Sequence, residues 1–367
     1  MELTSRLIQT ARRLPTPVLL VDRPSLLAAA ATVRDSLPGV EVYYALKANP
    51  HPEVVRALWL AGCGFEVSSV GELELALGAG APGPAIISGN PVKTPEFVRR
   101  AFAAGVRRFA FDSPAEVDKL AALAPGSEVF VRLTVDNSGS EWPLSRKYGV
   151  EPDEAVELLL AARDAGLDAT GATFHVGSQC LRAESWLAAL AVCEGVWATA
   201  AERGLRLSAL NLGGGLAVRH TRPIPATAAV GAAVMARLRA GRLAEARLSI
   251  EPGRALVGES AVLVMAVIGV ARRGDERWVY VDAGVFNALM ETTGGIRYEL
   301  ATERSGPESS CVLAGPSCDS VDVICPDALL PELAVGDRVY LLNAGAYTLS
   351  YASAFNGFGP PDVVMLA

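Results

Sequence analysis

The stretch Val40-Glu41-Val42-Tyr43-Tyr44-Ala45-Leu46-Lys47-Ala48-Asn49-Pro50 runs from a β-rich apolar segment into a lysine and stops at a proline. A helical pattern follows over residues 52–61, and a second short apolar run over 64–67. Strand, helix, strand in that order predicts a parallel pair, because a crossover helix returns the chain to the same end of the sheet. The unit then recurs. Strand-like runs fall at 40–46, 64–67, 85–88, 107–112, 128–133, 168–174, 207–212 and 246–250. Helical patterns separate them at 52–61, 70–77, 95–104, 114–123, 151–165, 184–203 and 226–240. Eight βα units predict an α/β fold, a closed (β/α)8 barrel.

Beyond Glu251 the texture changes. Strand-like runs at 260–271, 277–282, 310–314 and 338–342 alternate with Gly and Pro, which predicts an all-β domain. Residues 16–22 are also strand-like and are expected to join it. The predicted domains are a barrel over 23–257 and a β-sheet domain of 1–22 with 258–367.

Composition narrows the function. The chain has 367 residues, 51% hydrophobic, with 33 Lys and Arg against 40 Asp and Glu, a formal net charge of -7. Interspersed charges of net negative sign exclude a nucleic-acid partner, which needs a basic face. Mean hydropathy is positive. Yet the longest apolar stretch, 261–271, falls short of the roughly 20 residues that span a bilayer. Residues 1–13 lack a signal-peptide core. A cytoplasmic protein with no membrane partner is expected. The six cysteines have no C-x-x-C pair and no nearby histidine cluster, so neither a disulfide framework nor a metal site is predicted.

Barrel active sites gather at the carboxyl ends of the strands. Those ends carry Lys47, Glu66, Ser88-Gly89-Asn90, Asp112, Arg132, His175, Gly213-Gly214-Gly215 and Glu251. Desolvation at a strand end is expected to depress the pKa of Lys47 and make it a nucleophilic amine. The glycine turn can bring backbone N–H groups close to a phosphate. Arg254 can add a bidentate contact, and Glu251 can pair with a ring nitrogen. Lysine, phosphate cradle and carboxylate together describe a pyridoxal 5'-phosphate site.

The chain resembles the barrel-type (fold type III) pyridoxal-phosphate-dependent decarboxylases of ornithine, lysine, arginine and diaminopimelate. The resemblance rests on Tyr44-Ala45-Leu46-Lys47-Ala48-Asn49, Phe174-His175-Val176-Gly177-Ser178-Gln179, Leu212-Gly213-Gly214-Gly215 and Glu251-Pro252-Gly253-Arg254. It continues through Gly315-Pro316-Ser317-Cys318-Asp319-Ser320, Gly345-Ala346-Tyr347-Thr348 and Phe355-Asn356-Gly357-Phe358. The block Trp142-Pro143-Leu144-Ser145-Arg146-Lys147-Tyr148-Gly149 is most similar to the bacterial ornithine/lysine branch.

The resemblance implies a role for each matching residue. Lys47 would form the Schiff base with the cofactor, and His175 would stack on its ring. Ser178, Gly213, Gly214, Gly215, Gly253, Arg254 and Tyr347 would hold the phosphate. Glu251 would pair with the pyridine nitrogen, while Glu66 and Arg132 would line the cofactor pocket. Cys318 would protonate Cα after carbon dioxide leaves. Asp319, Tyr298, Phe355 and Glu291 would contact the substrate. Cys318 and Asp319 would reach the site of a partner subunit, so a homodimer is implied.

Two positions depart from the family pattern. Glu66 stands where ornithine-type enzymes carry aspartate. Gly294 stands near where bacterial relatives place the acid that binds a distal ammonium, so Glu291 or Asp319 is expected to substitute. The default substrate is a basic L-amino acid. The alternatives are a non-standard amino acid of a specialised pathway, diaminopimelate, an amino-acid racemase and a non-catalytic binding homologue. Glu251 at the ring nitrogen and the Cys318-Asp319 pair disfavour the racemase.

Overall fold

The computed structural model describes residues 2–144 and 146–367. Met1, within the predicted β-sheet domain, and Ser145, within the 142–149 block, lie outside them.

The chain opens with helix α1 (Ser5–Ala11) and strand β1 (Val18–Asp22), then helix α2 (Arg23–Ser36). Asp22 ends the strand and starts the helix, its carboxylate accepting from the Ser25 N–H at 2.9 Å. The barrel strands follow as β2 (Glu41–Ala45), β3 (Gly64–Glu66), β4 (Ile86–Ile87), β5 (Arg108–Phe111) and β6 (Glu128–Arg132). A short strand β7 (Ser140–Trp142) interrupts the sequence before β8 (Asp168–Thr173). It pairs antiparallel with β9 (Ser178–Cys180), and β10 (Ala209–Asn211) and β11 (Arg247–Ile250) complete the barrel.

The barrel sheet runs in the order β4-β3-β2-β11-β10-β8-β6-β5, and every pairing in it is parallel. Ser88 closes the ring. Its N–H donates to Arg108 O at 3.0 Å, and its carbonyl accepts from Ala110 N at 2.7 Å. All eight predicted strands are present. The outer helices α3 (Pro52–Leu60), α4 (Val70–Gly78), α5 (Pro95–Ala103), α6 (Pro114–Leu123), α7 (Pro152–Asp164), α8 (Ala183–Glu202) and α9 (Thr227–Ala240) also match the predicted pattern. Four of them begin on proline, whose fixed φ suits the first helical position and whose missing N–H costs nothing there.

After the one-turn helix α10 (Arg254–Val257) come β12 (Ala261–Arg273), β13 (Glu276–Val281), β14 (Leu300–Thr302), β15 (Ser309–Ala314), β16 (Val323–Leu330), β17 (Arg338–Leu341) and β18 (Asp362–Leu366). They form a separate mixed sheet. The N-terminal strand does join it: β1 lies antiparallel to β12 and parallel to β18. Val18 and Leu20 pack with Val262, Val264 and Tyr340 under α1, while Leu19 and Val21 face the main core. Each fully buried leucine there contributes roughly 1.5–3 kcal/mol.

The sequence did not predict α1, α2, the β7–β9 pair, β14, β16 or β18. Of these, β7, β9 and β14 have three residues each, β18 takes its register from β1 at the other end of the chain, and β16 carries a proline and an aspartate within its run. One boundary also differs. The first barrel strand ends at Ala45, and Leu46–Ala48 form a 3-10 turn that carries Lys47.

Candidate active site

Lys47 is held out from its strand by a pinned turn. Tyr44 Oη donates to Asn49 O at 3.0 Å, and Asn49 Nδ2 donates to Gly345 O at 2.9 Å. Tyr347 N donates to Ala48 O at 2.6 Å. The β-sheet part of the chain thus grips the lysine turn from outside the barrel. The Lys47 side chain opens into a cavity of about 490 Å³ shared with Arg132, His175, Ser178, Glu251 and Tyr347.

The charge on Lys47 differs from expectation. Its Nζ lies 3.4 Å from Oε2 of buried Glu66, and that carboxylate raises the lysine pKa well above its ordinary value. Burial works the other way and is outweighed. Ser68 Oγ holds the second Glu66 oxygen at 3.1 Å. The predicted depression of Lys47 therefore fails because β3 ends on a carboxylate facing it.

Glu251 sits at the end of β11, buried. Asn211 Nδ2 donates to its Oε1 at 2.5 Å. Burial, then the charge of Glu66, pushes the Glu251 carboxyl up to about 7. Gly89 lies against it: a Cβ there would stand 2.3 Å from Glu251 Oε1. His175 is buried and held neutral, its pKa driven well below the ordinary value by burial and then by Arg132 and Lys47. Its Nδ1 accepts from Gly177 N at 3.0 Å, which leaves the proton on Nε2. Burial also lowers the Arg132 pKa.

The glycine turn is closely packed. Gly213 and Gly215 have φ of 63° and 115°. A Cβ on Gly214 would lie 3.0 Å from His175 Nε2 and 2.8 Å from Glu251 O. One at Gly253 would lie 3.1 Å from the Ala48 Cβ. Nearby, Arg254 donates to Ser178 Oγ from Nε and Nη2, both at 3.4 Å, and covers the Tyr347 ring at 4.8 Å.

Glu291 lines the same cavity but is committed elsewhere. It receives two hydrogen bonds from Arg254, so it is not the free distal acid that the sequence suggested. Tyr298 is buried against His220, ring centroids 4.8 Å apart, and does not line the cavity. Cys318, Asp319 and Phe355 do not line it either. They lie exposed on the β-sheet part of the chain. Cys318 Sγ is 3.0 Å from Asn356 Oδ1, Asp319 Oδ1 accepts from Val321 N at 2.9 Å, and Phe355 packs on Phe286. Sequence reading missed Asn211, Ser68, Trp142 and Tyr351. The signal for Asn211 was available, as a polar residue near the carboxyl end of the predicted 207–212 strand, two positions before the glycine turn. Asp112 directly follows β5, one residue past its end, and accepts from Gly149 N at 2.9 Å.

The family model described as pyridoxal-dependent decarboxylase, pyridoxal binding domain, matches residues 24–258. The chain belongs to the pyridoxal-dependent decarboxylases. A lysine/ornithine decarboxylase of Selenomonas ruminantium is 36% identical over 353 residues, covering 95% of this chain and 89% of that protein. An ornithine decarboxylase of Schizosaccharomyces pombe is 34% identical over 345 residues, covering 90% and 78%. The solved lysine/ornithine decarboxylase of Vibrio vulnificus, complexed with putrescine, superposes with a TM-score of 0.92 at 32% identity, covering 100% of this chain and 99% of that one.

This pyridoxal-dependent decarboxylase is a carboxy-lyase of amino acids and uses pyridoxal 5'-phosphate. Its residues fit that group. The cavity offers a lysine amine, a neutral imidazole and a buried carboxyl, and the glycine turn packs so closely against His175 and Glu251 that a Cβ on Gly214 would crowd both. Among the described residues no helix is long and apolar enough to cross a membrane.

Proposed function

We propose that this decarboxylase removes the α-carboxylate of a basic L-amino acid, lysine or ornithine, and releases the diamine. The observation that carries the reading is the convergence of Lys47, His175, Ser178 and Glu251 on one cavity, with Gly214 of the glycine turn packed against His175 and Glu251. The names of the most similar relatives support the substrate class.

Lys47 would anchor the cofactor through Nζ. Gly213, Gly214, Gly215, Gly253, Ser178, Arg254 and Tyr347 would hold its phosphate, and His175 would lie against its ring. Glu66 and Arg132 would set the charge around it. Glu251, oriented by Asn211, would share a proton with its ring nitrogen. Bound pyridoxal phosphate supplies an electron sink for the pair left on Cα when carbon dioxide departs. Arg254 and the glycine N–H groups would fix the phosphate end, so that the reacting bond meets Lys47 in one orientation.

Cys318 and Asp319 are exposed and away from the cavity of their own chain, which supports a homodimer that shares its sites. Cys318 of the partner subunit would then deliver a proton to Cα, and Asp319 of the partner subunit would take the distal ammonium. Phe355, beside the Asn356 that Cys318 contacts, would back the pocket of the partner subunit, and Tyr298 would stand behind Glu291 in its own. The division into a barrel over 23–257 and a β-sheet domain of 1–22 with 258–367 belongs to the same reading. The six cysteines are all free, which supports a reducing, cytoplasmic setting; the diamine product would be of the polyamine kind.

The engagement of Glu291 by Arg254 and the absence of a side chain at Gly294 favour a second reading, a non-standard amino acid as substrate. A carbon dioxide release screen over ornithine, lysine, arginine, diaminopimelate and unusual amino acids tests both. Turnover of lysine or ornithine supports the first. Turnover confined to an unusual amino acid supports the second. No release from any amino acid defeats both.

A further inference from the structure

Trp142 stands where a side chain at Gly294 would be. A Cβ built on Gly294 would lie 2.0 Å from Cζ3 of the indole and 2.6 Å from its Cη2. Any larger residue at 294 must move the ring. Trp142 closes β7 and sits opposite Ser178 of β9. Residues directly opposed across an antiparallel pair point to the same face. Both line the cavity that holds Lys47.

On the decarboxylase reading, Lys47, Arg132, His175, Ser178 and Tyr347 of this cavity belong to the cofactor. Its carboxylates are engaged as well. Glu251 accepts from Asn211, and Glu291 is locked to Arg254. The remaining wall combines Trp142, Pro143, Leu144 and Tyr351 with the polar Asn90, Arg146, Lys147 and Tyr148. A substrate whose α-amine is at Lys47 lays its side chain against that wall. An indole backed by glycine main chain cannot retreat to admit a longer chain.

We propose that Trp142, seated on Gly294, is the specificity-determining residue that sets the length of substrate side chain accepted. This rests on the decarboxylase reading above. Removing the indole opens the wall, and adding a Cβ at 294 drives the indole into the cavity. The two changes therefore move length preference in opposite directions.

The test is kcat/KM for carbon dioxide release from the ω-amino L-amino acids of four to seven carbons. It is paired with calorimetric Kd for α,ω-diamines of three to six carbons, using cofactor-loaded enzyme. Trp142→Ala is expected to move both optima at least one methylene longer, with a ratio change of about tenfold per methylene. Trp142→Phe should move them less, and Gly294→Ala should move them shorter. If Trp142→Ala does not fold, Trp142→Phe and Gly294→Ala carry the same comparison. Unchanged length profiles in the folded variants overturn the assignment, as does a wild-type enzyme with no length preference. A wild-type enzyme that binds diamines by length but releases no carbon dioxide defeats the decarboxylase reading and leaves the role of Trp142 standing.

Discussion

Arg254 and Glu291 meet in a two-pronged ion pair, Nη1 to Oε2 at 2.9 Å and Nη2 to Oε1 at 2.5 Å. Their side chains are only 3% and 6% exposed. The pair ties the start of α10, just past the last barrel strand, to the 3-10 turn Met290–Gly294. It also aims the guanidinium at Ser178. Glu291→Ala leaves a buried cation without its partner, and breaking such a pair costs about 3–5 kcal/mol. The urea midpoint should fall accordingly. Replacing both residues with methionine should recover most of that stability while cofactor affinity stays low. Full recovery of affinity in the double variant would remove Arg254 from phosphate binding.

Glu251 gives the cofactor-free protein a pH signature. Its folded pKa, about 7, lies above the ordinary 4.5, so the folded state favours the protonated carboxyl. A raised pKa contributes stability that is fully present below about 4.5 and is lost as pH climbs through about 7. Relative to Glu251→Gln, the wild-type apoprotein should therefore lose a few kcal/mol across that window. Urea melts of both proteins at stepped pH values check it. Parallel curves would contradict the buried, proton-retaining carboxyl.

Gly214→Ala probes the cradle. The added methyl meets His175 Nε2 and Glu251 O without altering an unusual backbone angle. The cofactor should bind at least about tenfold more weakly, a loss of about 1.4 kcal/mol. Visible absorption during cofactor titration measures it, and an unchanged Kd would place the phosphate elsewhere.

Sharing of sites across a dimer is open to a mixing experiment. Lys47→Ala and Cys318→Ala proteins should each have little activity alone. Random exchange should restore about a quarter of the wild-type rate, because half the dimers are mixed and each carries one complete site. No recovery after verified exchange would place Cys318 within its own chain's site or outside the chemistry.

The barrel was legible in the sequence because each βα unit is local. An apolar run of strand length, a turn and an amphipathic helix lie within about 30 residues. The polar residues that interrupt such runs at Lys47, Glu66, His175 and Glu251 were legible for the same reason. Proline marked the starts of α3, α5 and α6. The strands β16 and β18 were not legible. Val323–Leu330 carries a proline and an aspartate and pairs only with β15, and Asp362–Leu366 gains its register from Val18–Asp22 at the other end of the chain.

By itself, the sequence determined which residues reach the barrel mouth, since strand order and alternation place the end of each strand there. Only the tertiary structure decided how those residues act on one another. Lys47 is charged rather than depressed because Glu66 faces it across two neighbouring strands, an attraction set by distance and not by spacing along the chain. Glu291 is spent on Arg254, and Trp142 fills the room beside Gly294, because chain segments well over a hundred residues apart in one case, and 37 in the other, pack into the same few ångströms.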